Sequence, residues 1–153
     1  MSIWDWTNEK EEGPIACLAI KYNDELQTLH WVKFNPNDPF EIAANGRERV
    51  LFLSWEVGVP KIEYYAPRID KKDFSTKEKS EATYLKTVFI PGTEMAVTGT
   101  NCGDILVWDR SLIIEGIGMQ HEKRLIKIVT FNQNSSPIIV LTTVHNTYLV
   151  CGN

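Results

Sequence analysis

"DILVWD" (Asp104 to Asp109) and "SIWDW" (Ser2 to Trp6) share one pattern: a short apolar run closes on a Trp followed by an acid. A third version, "RVLFLSWE" (49–56), ends on Trp55 and Glu56. Trp4, Trp55 and Trp108 thus fall 51 and 53 residues apart, each ahead of an acid: Asp5, Glu56 and Asp109. Near-constant spacing of this length marks an internal repeat, in which each unit buries its apolar faces on its neighbours. The residues upstream of the Trp repeat as well. Phe34 is followed by "NPNDPFEIAANG" and then the strand that reaches Trp55. Phe89 is followed by "IPGTEMAVTGTNC" and then "GDILVWD". Phe131 opens a third copy, "NQNSSPIIVLTTVHN" and then "TYLVCG", with Cys151 and Gly152 where the Trp and the acid are expected.

Strand signals dominate the chain. "PIACLAI" (14–20), "TLHWVKF" (28–34), "EIAANG" (41–46), "RVLFLSWE" and "KIEYYAP" (61–67) are short, rich in β-branched and aromatic residues, and separated by turn formers. "YLKTVFI" (84–90), "EMAVTGT" (94–100), "DILVWD", "LIKIVTF" (125–131), "PIIVLTTV" (137–144) and "TYLVCG" (147–152) continue the theme. Asn35 to Pro39, Pro91-Gly92 and Asn132 to Pro137 supply turns. No window sustains a helical period. The fold class is all-β and antiparallel. Four strands per copy, with a Trp closing the third, predict a β-propeller blade. Each blade is a twisted sheet whose two faces need neighbours. Large flat side chains then fill the wedge between blades, and small residues such as Ala43, Ala44, Ala96, Thr98 and Gly99 let strands crowd near the axis. All three Trp side chains are therefore expected in the core. The charged stretch 68–82, "RIDKKDFSTKEKSEA", reads as a solvated or disordered insert between two strands.

With 153 residues, 43% apolar and 24% charged residues, the chain has an ordinary globular composition. A net charge of −4 and a pI of about 5.4 give no basic footprint, so nucleic acid is not the expected partner. The sequence has no apolar run of membrane-spanning length and no secretory signal at its start. Cys17, Cys102 and Cys151 are odd in number, far apart and never in a CxxC pair, which points to separate reduced thiols rather than disulfides or zinc.

These copies resemble the blades of the WD-repeat family over nearly the whole chain apart from 68–82. "ILVWD" carries the family ending intact, and "MQHEKRLIKIVTF" (119–131) is similar to the His-bearing segment that leads into an inner strand, with His121 ten residues before Phe131. The acid that the family places six residues before the Trp is replaced by Cys102 in one copy and Arg49 in another, so the family's Asp–His–Ser/Thr–Trp hydrogen-bond network is incomplete here. The order of "SIWDWT", "KFNPNDPFEIAANGRERVLFLSWE", the charged insert, "GDILVWD" and "PIIVLTTVHNTYLVCGN" further resembles one section of the ciliary WD-repeat subunits of the calmodulin- and spoke-associated complex. That resemblance implies a place in the axoneme of motile cilia and flagella, part of the cytoskeleton, at the base of a radial spoke. Those proteins also carry many more blades and a calcium-binding EF-hand region, and no Asp-rich loop of EF-hand spacing occurs in this chain.

The expected organisation is a partial, open WD-repeat β-propeller with two complete four-stranded blades and parts of flanking ones. Residues 1–6 read as the end of a preceding blade, 14–56 and 61–109 as whole copies, and 112–153 as an incomplete copy. A closed propeller needs about four blades or more. The chain is thus expected to be a section completed by further blades or by a partner chain, and to be aggregation-prone or only partly folded when expressed alone.

Catalytic signals are absent from this reading. His30, His121 and His145 are scattered, no Ser sits in a GxSxG elbow, Gly116-Ile117-Gly118 is too short for a dinucleotide fingerprint, and Glu11-Glu12 falls in a polar segment. No cofactor or metal is implied. Propellers meet partners through rim loops, which singles out Arg47 and Arg49 beside the "NG" turn, Asn101 in the matching turn, and Lys71 and Lys72 in the insert. The leading functional expectation is a non-catalytic scaffold that docks axonemal and radial-spoke proteins. The alternatives are a general cytoplasmic WD-repeat adaptor and, less favoured, a propeller enzyme.

Overall fold

The computed structural model describes residues 1–7, 13–18, 28–110, 122–131, 136–145 and 148–152. His121, Gly116–Gly118, Glu11-Glu12 and most of the 132–137 turn lie outside these residues. β3 (Trp31–Phe34), β4 (Glu41–Asn45), β5 (Val50–Ser54) and β6 (Glu63–Tyr65) form one antiparallel four-stranded sheet in that order, blade I. β7 (Tyr84–Phe89), β8 (Ala96–Thr100), β9 (Asp104–Arg110) and β10 (Lys123–Thr130) form blade II in the same way. Two strand pairs flank them: β1 (Ser2–Ile3) with β2 (Ala16–Cys17), and β11 (Val140–Val144) with β12 (Tyr148–Gly152). The turn between β8 and β9 closes on Gly103 at φ 78°, a conformation that an L side chain would strain.

Alternate residues of each strand face opposite ways, and here each face meets a different neighbour. Ile42, Ala44, Leu51 and Leu53 of blade I pack on Ile3 and Ala16 of the first pair. Ala43, Val50 and Phe52, on the reverse face, pack on Phe89, Ala96, Leu106 and Trp108 of blade II. The far face of blade II, Val88, Val97 and Ile105, meets Ile138 and Leu141. The four sheets are therefore stacked as successive wedges, face to face and unclosed. Small residues set the spacing: a Cβ on Gly99 would lie 2.7 Å from Ile138 Cγ2.

The sheets correct the sequence copies by one strand. The strand expected to open the second copy closes blade I instead, with Phe52 opposite Tyr65. The sheets run 31–65 and 84–130, not 14–56 and 61–109. Phe34 and Phe89 end the inner strands β3 and β7, whereas Phe131 follows the outer strand β10 and is not their counterpart. β11 lies against β7 as β7 lies against β3, so β11 is an inner strand and β12 the second strand of its sheet. "TYLVCG" thus matches "MAVTGT" rather than the Trp strand, and Cys151 and Gly152 do not hold a Trp–acid position.

Strand register also separates the three Trp residues. Phe89, Ala96 and Trp108 form one cross-strand row, and Thr87, Thr98 and Leu106 the next. The same rows in blade I are Phe34–Ile42–Leu53 and Val32–Ala44–Leu51. Leu53 therefore stands where Trp108 does, and Trp55 lies beyond the end of β5. Trp108 is fully buried, edge-on to Phe52 with centroids 6.0 Å apart. Its Nε1 donates to Thr98 Oγ1 at 2.8 Å, and the Thr98 and Thr87 hydroxyls are hydrogen-bonded at 2.7 Å. Trp55 is half-buried, tilted against Phe40 and donating to the Pro39 carbonyl at 2.9 Å. Trp4 is 58% exposed. The expectation of three wedge-filling Trp side chains is met at Trp108, in part at Trp55, and fails at Trp4.

Candidate docking surface

The insert between β6 and β7 is folded, which corrects the expectation of disorder, although most of its side chains are exposed to solvent. Asp70 caps a 3-10 turn (Lys71–Asp73), and Thr76 caps one helical turn, α1 (Lys77–Ser80). Phe74 enters the core between the blades, with Ile69 beside it. Lys79 Nζ lies 2.7 Å from Asp104 Oδ1 and 3.1 Å from Thr130 Oγ1, while Thr130 donates to the same carboxylate at 2.8 Å. Asp104 is 2% exposed at its side chain and Lys79 12%, so water screens this pair weakly. A buried aromatic and a buried ion pair hold the insert against blade II.

A second buried charge ties the blades together. Lys123 opens β10 and is 1% exposed; its Nζ lies 2.9 Å from Glu41 Oε1 on β4 and donates to the Glu94 carbonyl at 3.1 Å. Asn35 Nδ2 donates to the other Glu41 oxygen at 2.6 Å. The ammonium also sits 5.6 Å from the ring centres of both Phe52 and Phe89. The Lys123 backbone N–H donates to the Tyr65 hydroxyl at 2.8 Å. Burial pushes the Tyr65 phenol up to about 12.

The residues singled out for docking sit around one rim. Arg47 and Arg49 are exposed in the β4–β5 turn, where Gly46 N–H donates to the Arg49 carbonyl and Tyr84 N–H to that of Arg47. Lys71 and Lys72 are exposed on the 3-10 turn. An open cleft of about 460 Å³ brings Arg49 and Lys71 together with Arg68, Glu48 and Ser80. Asn101 lies in the equivalent β8–β9 turn, but its Oδ1 accepts from Thr83 N–H at 2.8 Å, so it braces the end of the insert. Next to it, burial and the Asp104 carboxylate push the Cys102 thiol up, with Lys79 opposing. His30 Nε2 is hydrogen-bonded to the Tyr84 carbonyl at 2.9 Å, which makes it a brace between β3 and β7. Among the described residues no cluster of three His, Cys, Asp or Glu side chains could hold a metal, and no helix is long and apolar enough to cross a membrane.

Lys79, Asp104, Glu41 and Lys123 carry no local sequence signal. Asp104 stands four residues before Trp108, whereas the family pattern marks the residue six before it. The signal for the insert was Phe74 alone, one aromatic in a charged stretch. Glu41 and Lys123 are 82 residues apart, and nothing local pairs them.

No family model matches the chain. It is 35% identical over 142 residues to a protein of Chlamydomonas reinhardtii named cilia- and flagella-associated protein 251, covering 92% of this chain and 17% of that protein. The Tetrahymena thermophila protein of the same name is 32% identical over 163 residues, covering 100% of this chain and 15% of its own length. A Pongo abelii protein of that name is 25% identical over 107 residues, or 70% of this chain. The chain spans about a sixth of the length of the first two relatives. Among solved structures, the β-propeller domain of Cps50 (Swd1) from Myceliophteria thermophila superposes with a TM-score of 0.60 at 15% identity, covering 88% of this chain and 38% of that one. The fold is that of an open section of a β-propeller, and the chain is homologous to a section of the ciliary proteins.

Proposed function

We propose that this chain, as a homologue of one section of cilia- and flagella-associated protein 251, is a non-catalytic scaffold section that docks other proteins in the axoneme of motile cilia and flagella. The sequence identity across 92% of the chain carries this reading. The finer part is a place at the base of a radial spoke, where neighbouring spoke proteins meet the rim formed by the β4–β5 turn and the insert. Arg47, Arg49, Lys71 and Lys72 supply exposed cations there, suited to acidic loops on a partner, and strands held by a buried core keep those loops in place.

The test is to tag the protein in a ciliated cell, strip the ciliary membrane with detergent, and image and fractionate what remains. Retention on the axoneme at the radial-spoke repeat is expected. A signal spread through the cell body would instead support the cytoplasmic adaptor. Reversing the rim charge with Arg47→Glu and Lys72→Glu should lower retention several-fold while the stability stays within about 0.5 kcal/mol of the parent, because both side chains are exposed.

A further inference from the structure

The cleft between the β4–β5 turn and the insert lies at the junction of the two complete blades. Its walls come from that turn, the chain leading from β6 into the insert, and the start of β7, all within residues 48–84. Arg49 and Arg68 bring guanidinium groups and Lys71 an ammonium, with Glu48 the one acid of the lining. This positive charge is gathered on a chain whose net charge is −4. All three cations are exposed, and among the described residues neither Arg68 nor Lys71 is held in an ion pair. Asp70, next to Lys71 in sequence, accepts from the Lys72 N–H at 3.0 Å as the cap of the 3-10 turn.

A buried donor lines the same cleft. Tyr84 opens β7 and is 5% exposed, in the core cluster that holds Val50 and Phe74. Its hydroxyl has no hydrogen-bond partner among the described residues. A buried hydroxyl without a partner is costly to keep. Burial also pushes this phenol up, so it stays protonated and able to donate.

We propose that this cleft binds a phosphorylated side chain of a partner protein, with Arg49, Arg68 and Lys71 pairing with the phosphate oxygens and the Tyr84 hydroxyl donating to one of them. The proposal rests on the docking function above and narrows it. A phosphomonoester carries a charge of about −1.5 to −2 and three strong acceptor oxygens. A carboxylate offers one charge and two oxygens. Three cations and a phenol set on separate segments suit the larger charge, and guanidinium groups match phosphate oxygens two at a time. The volume of about 460 Å³ exceeds that of a phosphate group, and Ala66 and Pro67 add an apolar wall for the residues beside it. Room of that kind fits a peptide rather than a free anion.

Peptide libraries offered to the immobilised full chain test this, with bound peptide counted by mass spectrometry. The libraries share randomised flanks and differ only at the central residue, which is phosphoserine, serine or glutamate. Phosphoserine peptides should be enriched about tenfold or more over the other two. Arg68→Gln and Lys71→Gln should each remove most of that enrichment, and Lys71→Arg should keep it. Tyr84→Phe should lower it about fivefold without lowering the melting temperature, since the hydroxyl it removes bonds nothing in the free chain. Equal capture of all three libraries, or enrichment indifferent to the cleft variants, overturns the proposal. Glutamate peptides held as strongly as phosphoserine peptides overturn it too, and leave the docking of acidic loops standing. Displacement by an equal concentration of inorganic phosphate marks an anion site that needs no partner, and also overturns it. The docking function fails on a different result, a tagged protein that leaves the axoneme on detergent extraction.

Discussion

Blade I has one face that is finished and one that is not. Towards blade II it buries Phe52 against Phe89 and Trp108, and the row containing Phe89 is sealed. On the reverse face the same row begins with Phe34, which stays half-exposed beside Val32. Strand order and register are alike on the two sides and each row opens on a Phe, so the difference in its exposure lies in what covers it. A blade surface is stable when both halves of the neighbouring sheet are present, and the inner half decides the fate of the inner-strand aromatic.

The largest effects should come from breaking the finished side. Lys123→Met leaves Glu41 buried without its cation, and chemical denaturation should show a loss of about 3–5 kcal/mol. Replacing both partners with apolar residues of similar size should recover most of that loss. Trp108→Ala should also cost about 3–5 kcal/mol. Trp55→Ala, at a half-buried site beyond its strand, should cost about 1 kcal/mol, and Trp4→Ala still less. Equal losses at Trp108 and Trp55 would break the register that makes Leu53 the equivalent of Trp108.

Gly99→Val drives a side chain into Ile138 at the junction with β11–β12 and should cost about 1–3 kcal/mol, with faster proteolysis confined to the C-terminal pair. Loss of blade II signals along with it would show that the junctions are not separable. The smallest effect concerns pH. The folded Tyr65 phenol titrates near 12 rather than 10 because it is buried. A group with a raised folded pKa lends stability that is whole below its unfolded value and fades as pH rises through the folded one. Stability should therefore decline between pH 10 and about 12, and Tyr65→Phe should flatten part of that decline in an alkaline titration of the melting temperature.

Much of this was legible in the residues. Alternation and turn formers located the strands, and the small residues at Ala43, Ala96 and Gly99 foretold close approach. The Trp spacing misled by two residues, because a Trp just past a strand end looks in sequence like one inside it. Leu53 holds the structural place with an ordinary aliphatic side chain that advertises nothing. The offset between copies and sheets has a similar origin: an outer strand is written next to the blade it precedes, yet bonds to the blade it follows. Of the rim residues, Asn101 turned out to be a brace because its partner Thr83 sits at the far end of the insert. The ion pairs of Lys79 and Lys123 join positions distant in sequence, and only a register gives them meaning.

The contrast between the covered faces of the two blades and the strand pairs beside them is tested most directly by amide hydrogen exchange. Slow exchange in β4, β5, β8 and β9 is the predicted result, with faster exchange in β1 and β12, each of which has one edge that no described strand pairs. Uniform protection of all four sheets, or rapid exchange of β5 and β9, would contradict it.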